Sequence, residues 1–311
     1  MLLELAPEIR EITPEEWNPE RLTAGALQMD ALDMLRERFG LRQSAIEECR
    51  SDRERYRTSI DVYDDSTFCV VTLVDAANPL GMADKVAFFF KRNLFLMVTL
   101  IDADGSTERL FHKAVCRYRP EVVTLEKIVA AMLESLIDGD GEALANREFA
   151  VNALEMEIAQ GKRERALNAE VFEQRRQLLR LRTFYEQLID IGEELQENEN
   201  DVFDGDTMRS LAMFTGKAVR LSASVQQLRD SLTQLREAYQ ALLDYDLNRG
   251  IRLLTVLATI CLPPTLIAGW YGMNFRHMPE LSWVWGYPLV IVLSVLVVVI
   301  GLWYFRRKKM L

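Results

Sequence analysis

Residues 250–274, GIRLLTVLATICLPPTLIAGWYGMN, decide how the rest of the chain is read. Within them, residues 251–270 supply the roughly 20 apolar residues that a helix needs to cross a bilayer. Thr255, Thr259 and Thr265 interrupt the run, Pro263-Pro264 sits two-thirds of the way along it, and it closes on Asn274 instead of an aromatic anchor. A helix that served only as an anchor would need none of these residues. The span therefore reads as the lining of a passage for ions, held and aimed by the remainder of the chain.

A second apolar run, residues 287–305, is long enough for another crossing. It ends in Arg306-Arg307-Lys308-Lys309, whereas the loop at 271–286 carries only Arg276 and Glu280 as charged side chains besides the neutral His277. The positive-inside rule places the basic tail, 306–311, in the cytoplasm, which puts both termini inside and the loop in the periplasm or extracellular space. Trp270, Trp283, Trp285 and Tyr287 suit an aromatic belt at the outer interface. The expectation is a multi-pass protein of the inner (plasma) membrane, with the lipid bilayer as one partner. The N-terminus, Met1-Leu2-Leu3-Glu4, lacks a basic region followed by a long apolar core, so no export signal is expected.

The formal charge of −10 over 311 residues is unevenly divided. Residues 249–311 carry seven Lys and Arg against Glu280, or +6, which leaves −16 on residues 1–248. So acidic a segment repels nucleic-acid phosphates and attracts cations, so nucleic acid is not an expected partner. Cys49, Cys69, Cys116 and Cys261 form no CxxC pair, which argues against a zinc ribbon or a disulfide framework. Phe68-Cys69-Val70 and Val115-Cys116 read as strand interiors, hence as buried thiols in a reducing cytosol. With no glycine-rich phosphate loop, no Ser/His/Asp set and no paired histidines, an enzyme is not expected, and the solitary His112 reads as structural.

Residues 1–120 read as a cytoplasmic α/β domain. Leu27, Leu32, Leu35 and Phe39 are spaced for one helix face with Gly40 as its C-terminal cap. Residues 59–75 and 86–101 have strand composition, with a turn at Arg92-Asn93, and 109–116 is a further strand candidate. Residues 121–206 read as a helical hairpin region. A helix starts at Pro120-Glu121 and continues through Leu125, Ile128, Val129, Met132 and Leu136, and Gly139-Asp140-Gly141 breaks it. Residues 142–160 and 164–197 follow as long exposed helices. Leu178, Leu181, Tyr185, Leu188 and Ile191 form an apolar stripe, and the acidic 193–206 reads as a loop. From Thr207 a stalk helix, 207–250, runs into the first span, 251–270. Its stripe is Leu211, Phe214, Ala218, Leu221, Val225, Leu228, Leu232, Leu235, Tyr239, Leu242 and Leu243, the persistence expected of a helix that associates with other helices. A stalk without a signalling role fits the same pattern.

At 100° per residue, Ile251, Leu254, Ala258, Leu262, Thr265, Gly269 and Gly272 share one arc of the first span, with Asn248 just off it at the cytoplasmic end. A two-span subunit cannot enclose a water-filled path alone, so a pore requires several copies about an axis. Rings of Ile251, Leu254 and Leu262 can gate it by dewetting, while Thr265 and Asn274 offer neutral oxygens to an ion's water shell. Pro263 and Pro264 cannot donate to the carbonyls of Thr259 and Ile260, and a bend is expected there. Small and hydroxyl residues that merely let helices pack closely are the alternative explanation.

Tyr271-Gly272-Met273-Asn274-Phe275, Met278-Pro279-Glu280-Leu281, Trp285-Gly286-Tyr287-Pro288, the run at 263–269 and the short basic C-terminus resemble the CorA family of magnesium channels. The match is specific over residues 248–311 and one of architecture before that. The resemblance implies a homopentamer with a CorA-like funnel, in which an N-terminal α/β domain joins a long stalk helix and two transmembrane helices. It implies a selectivity filter of Gly272, Met273 and Asn274, with Asn274 meeting the metal through metal-bound water. It also implies a pore lined by Asn248, Ile251, Leu254, Ala258, Leu262, Thr265 and Gly269, with Arg276, His277 and Glu280 at the outer mouth. Magnesium dehydrates reluctantly, and a ring of amide carbonyls can hold its waters without stripping them. No resident cofactor is implied. The cargo is Mg2+, with Co2+ and Ni2+ as further passengers.

Two departures from the family pattern stand out. Many relatives carry an acidic residue after the Asn-Phe, whereas this chain has Arg276-His277, whose charge weakens cation attraction unless the side chains point away. Relatives that sense cytoplasmic magnesium place a stalk carboxylate in the turn that corresponds to 213–216, where this chain has none; Asp204, Asp206 and Asp230 are the nearest acids. Other functions remain open. A zinc transporter of the same two-span superfamily would have only Cys261 and His277 near the path as ligands of the kind zinc prefers. A membrane-anchored coiled-coil scaffold that transports nothing would leave Thr265, the proline pair and Asn274 unexplained.

Overall fold

The computed structural model describes residues 1–5, 9–50, 59–102, 105–119, 123–160, 165–273 and 283–308. It falls into two compact units, Met1–Gln234 and Leu235–Leu311.

The first unit is built on a seven-stranded sheet. Its strands are β1 (Leu2–Glu4), β2 (Arg10–Glu11), β3 (Thr23–Gln28), β4 (Ser59–Tyr63), β5 (Ser66–Leu73), β6 (Asp84–Lys91) and β7 (Leu94–Ile101), in the order β2-β1-β3-β7-β6-β5-β4. β4 to β7 form an antiparallel meander, and β3 lies parallel to β7. The expected turn at Arg92-Asn93 is the β6–β7 hairpin, with Lys91 opposite Leu94.

Strand alternation sends Phe68, Val70, Ala87, Phe89, Leu94, Leu96 and Val98 to one face of the sheet. There they pack against α1 (Met29–Phe39) and α2 (Gln43–Arg50) through Leu32, Phe39, Ile46 and Cys49. Phe88, Phe90, Phe95 and Met97 alternate to the other face and are equally buried. On that side α4 (Leu125–Ser135) packs against β3 and β7, and α6 (Arg165–Glu197) packs against β5. Burial on both faces explains why these strands read as continuous apolar runs.

Gly40 adopts φ 61° and closes α1, as its position after Phe39 predicts, but Leu27 lies on β3, so the helix face begins at Met29. Residues 109–116 are not a strand. They belong to α3 (Ser106–Cys116), which buries Thr107, Phe111, Ala114 and Val115. That spacing of four, three and one is helical, and it outweighs the β-branched content. Cys116 is accordingly exposed at the end of α3, and Cys261 is also exposed, while Cys49 and Cys69 are buried free thiols. Burial pushes Cys49 up to about 12, with Lys85 pulling the other way. His112 is exposed, 3.7 Å from the Cys116 sulfur.

The helix expected from Pro120-Glu121 starts later. α4 begins at Leu125, where the Thr124 hydroxyl caps the Lys127 N–H, and residues 120–122 lie outside the described set. The break is residues 136–139, ending at Gly139 with φ 87°, and Asp140 and Gly141 already belong to α5 (Asp140–Ala159). The acidic loop is shorter than its composition suggests, since α6 continues to Glu197 and α7 (Gly205–Tyr271) starts at Gly205.

The α6 stripe is fully buried, with Leu178, Leu181, Tyr185, Leu188 and Ile191 each at 0% exposure. α6 meets α7 closely at Gly192, where a Cβ would lie 2.2 Å from the Thr215 hydroxyl. Gln196 Nε2 donates to both the Gly192 carbonyl (2.6 Å) and Thr215 Oγ1 (2.7 Å). Arg147 on α5 donates to the Ala76 and Ala77 carbonyls at 2.8 and 3.2 Å and to Gln177, tying that helix to the loop after β5.

Candidate ion pathway

The second unit contains the C-terminal part of α7 and α8 (Gly286–Arg307). Both helices are long and apolar enough to cross a membrane. Along α7, Val256 is buried and Ile260, Pro263, Pro264 and Ile267 are half-buried; along α8, Gly286 and Phe305 are buried and Val290, Ser294, Val297, Val298 and Gly301 are half-buried. Each set recurs at steps of three and four, so each helix shields a single face. The two faces meet where Ile260 Cγ1 lies 3.4 Å from the position of a Cβ on Gly301.

At 100° per residue, the shielded face of α7 lies opposite the arc of Ile251, Leu254, Ala258, Leu262, Thr265 and Gly269. Those six residues are all exposed, as is Asn248, with Leu254 at 68% and Leu262 at 67%. The length and apolar character of the second run were legible in the sequence, but the face it turns to α7 was not. The signal available for it was the recurrence of small residues at Gly286, Ser294 and Gly301 within a run of Leu, Val and Ile.

All three threonine hydroxyls donate to the carbonyl one turn back: Thr255 to Ile251 (2.8 Å), Thr259 to Thr255 (2.7 Å) and Thr265 to Cys261 (2.8 Å). With its proton committed, each oxygen can only accept from anything that approaches α7. Waters held by a cation point their hydrogens outward, so acceptors are the groups such a hydrated ion needs. Pro263 and Pro264 sit inside the continuous α7 helix, and neither has an N–H for the Thr259 and Ile260 carbonyls.

The helix ends with the Gly272 N–H donating to the Ala268 carbonyl (2.9 Å) and the Met273 N–H donating to the Trp270 carbonyl (3.3 Å). A Cβ on Gly272 would lie 3.0 Å from the Ala268 oxygen, so crowding against the last turn favours glycine there. Asn274, Arg276, His277 and Glu280 lie outside the described residues.

The acids nearest the turn at 213–216 have structural partners. Asp204 caps α7, accepting from the Thr207 N–H (2.8 Å) and hydroxyl (2.6 Å), bonds that hold its carboxyl below the usual range. Asp206 pairs with Arg209 at 3.7 Å, and Asp230 accepts from Gln226 at 2.8 Å. Met213 stands exposed in the turn itself. Among the described residues no group of three or more His, Cys, Asp or Glu is placed to hold a metal ion.

Residues 25–307 match the family model described as CorA-like Mg2+ transporter protein. The chain is 24% identical over 293 residues to the cobalt/magnesium transport protein CorA of Thermotoga maritima, covering 92% of this chain and 82% of that protein. It is 42% identical over 82 residues to the magnesium transport protein CorA of Wolinella succinogenes, a match that covers 26% of each. Its fold is similar to the complete structure of the CorA magnesium transporter of Methanocaldococcus jannaschii, with TM-score 0.79 at 18% identity over 100% of this chain and 98% of that one. The α/β N-terminal domain of this chain, its long helix α7 and its C-terminal helix α8, the two helices apolar enough to span a membrane, all lie within the matched length. The chain belongs to the CorA-like family of membrane transporters of divalent cations.

Proposed function

We propose that the chain is one subunit of a homopentameric magnesium channel in the inner membrane, with both termini in the cytoplasm and Asn274 ringing the outer mouth. One observation carries this reading: α7 gives one face to α8 and leaves the opposite face, with Ile251, Leu254, Leu262 and Thr265, exposed in the single chain. A helix at the centre of a ring of copies needs that division, whereas a lone hairpin gains nothing from an outward acceptor such as Thr265.

In this scheme Asn274 carbonyls and then Thr265 hydroxyls accept hydrogen bonds from the waters of a hydrated Mg2+, so the ion keeps its shell. Gly272 and Met273 complete the filter. Rings of Leu262, Leu254 and Ile251 exclude water when the path narrows, with Ala258 and Gly269 as small positions between and above them, and Asn248 gives a polar exit. Arg276, His277 and Glu280 flank the entrance. Co2+ and Ni2+ are proposed passengers because they too travel as compact hydrated dications.

Reconstitution in liposomes tests the proposal. Asn274→Ala is expected to lower Mg2+ flux at least about tenfold, the cost of losing a set of charge-assisted contacts to the ion's waters, while leaving the oligomer intact. Unchanged flux in that variant rejects the filter assignment. Measuring Mg2+ and Zn2+ side by side, with and without a proton gradient, separates the magnesium channel from a zinc transporter. The absence of any protein-dependent flux points to a scaffold.

A further inference from the structure

A cavity of about 760 Å³ lies between α3, α4 and α7, wholly inside the unit Met1–Gln234. Its size falls within the ~300–1,000 Å³ typical of small-molecule sites. Lys113, Arg117, Lys217 and Arg220 line it, against the two carboxylates Glu134 and Asp138.

Both carboxylates are engaged by these cations. Glu134 pairs with Lys217 and Arg117, each at 2.7 Å, and Asp138 pairs with Lys113 at 2.5 Å. The lining therefore keeps a surplus of two positive charges, in a segment, 1–248, whose own net charge is −16. A patch of reversed sign on so acidic a background concentrates anions where the surrounding surface concentrates cations.

The rest of the lining narrows the ligand class. The Ser135 hydroxyl donates to the Met132 carbonyl (2.6 Å) and the Ser224 hydroxyl to the Arg220 carbonyl (3.0 Å), so recognition of an anion falls to the Lys and Arg side chains. Ala131, Ile137 and Leu221 supply an apolar wall. Among the described residues no aromatic ring lines the cavity, which leaves a nucleobase without a stacking partner. Guanidinium and ammonium groups here suit planar or tetrahedral oxyanions.

We propose that this cavity binds a compact aliphatic dianion, a phosphate monoester or a dicarboxylate, whose two charges neutralise the surplus and whose carbon body rests on the apolar wall. The site is independent of the ion pathway: it stands on residues of another unit. Because α7 forms one wall and runs on as the first span, the ligand would sit against the helix that the pathway uses.

The full-length protein in detergent provides the test, with glycerol 3-phosphate and succinate as probes in separate calorimetric titrations. Saturable binding of either is expected, and which one binds identifies the source of the charge. Arg220→Gln and, separately, Lys113→Gln, both at exposed side chains, are each expected to weaken it about tenfold or more, as loss of a hydrogen bond to a charged group does. Cys116 borders the cavity. Its alkylation, followed on its own peptide by mass spectrometry, is expected to slow several-fold when the ligand is bound and to return to the ligand-free rate in Arg220→Gln.

Three outcomes overturn the proposal. The first is no saturation by either probe up to about 10 mM, beyond the range of weak metabolite binding. The second is binding that neither variant weakens, or that leaves Cys116 alkylation unchanged. The third is a Cys116 that is unreactive in the ligand-free assembly and reactive only after subunits dissociate, which would make the cavity a contact between copies.

Discussion

At Asp140, the first residue of α5, burial and the helix dipole act in opposite directions. Asp140 is 6% exposed, and its carboxyl accepts a hydrogen bond from the Tyr185 hydroxyl at 2.9 Å. A position in the first turn favours a negative charge by about 0.3–1 kcal/mol. Burial, helped by the charges of Asp75 and Asp138, wins and raises the carboxyl from 3.8 to about 6. The folded state therefore holds the proton more tightly than the unfolded chain does. Stability is greatest below about pH 4 as far as this group is concerned, and it declines as pH rises through about 6, by roughly 2–3 kcal/mol in all. Asp140→Asn keeps an acceptor for Tyr185 and removes the charge. Thermal unfolding from pH 4 to pH 7 should show a smaller loss in this variant and a melting temperature at pH 7 no lower than that of the wild type. A variant as sensitive to pH as the parent would show that Asp140 is ionised without cost. Nothing in the spacing of Gly139-Asp140-Gly141 disclosed this, because Tyr185 is forty-five residues away in sequence and only packing brings it over the carboxyl.

At the scale of elements, the helices were the more legible part and the edges of the sheet the less. Periodicity reported the α6 stripe correctly, since five residues at steps of three and four must share a face wherever the helix packs. β1, β2 and the Thr-Ala-Gly-Ala-Leu-Gln of β3 carried no comparable signal, being short or poor in β-branched residues; β3 is placed by its parallel pairing with β7, β1 by pairing with β3, and β2 by pairing with β1. The misreading of α3 as a strand has the same origin from the other side. Val115 and Cys116 favour a strand locally, but Thr107, Phe111, Ala114 and Val115 need one buried helix face. The contact between α6 and α7 gives a test at this scale. A methyl group on Gly192 would meet the buried Thr215 hydroxyl at 2.2 Å, so Gly192→Ala should push the helices apart and destabilise the protein by about 1–3 kcal/mol, read as a lower melting temperature. Gly192→Ala combined with Thr215→Ala, which removes the hydroxyl that the added methyl group would meet, should recover part of the loss. A single variant as stable as the parent would mean that the helices yield without strain.

For the whole molecule, the burial pattern of α7 changes character along its length. Leu211, Phe214, Val225, Leu228, Leu232, Leu235 and Tyr239 are buried, but Leu242, Leu243 and Leu247 are exposed, and so is most of the span that follows. An apolar stripe that continues past the point where its own chain stops covering it leaves that cover to lipid or to other copies. The homopentamer proposed above predicts an assembly of five subunits by native mass measurement in detergent, and a monomer or dimer would remove the basis for a central pore.

The sequence by itself determined two runs long and apolar enough to cross a membrane, an expected orientation from their flanking charges, the arc of residues along the first run, and the family to which the chain belongs. Those features rest on length, periodicity and charge bias, which act along one stretch of chain and need no distant partner. Tertiary structure alone decided that α8 covers the side of α7 opposite that arc, that the Thr265 hydroxyl faces outward only as an acceptor, and that four cations gather around one cavity in an acidic domain. Each of these depends on which distant residues share a surface, and a linear pattern of apolar and polar residues does not specify that.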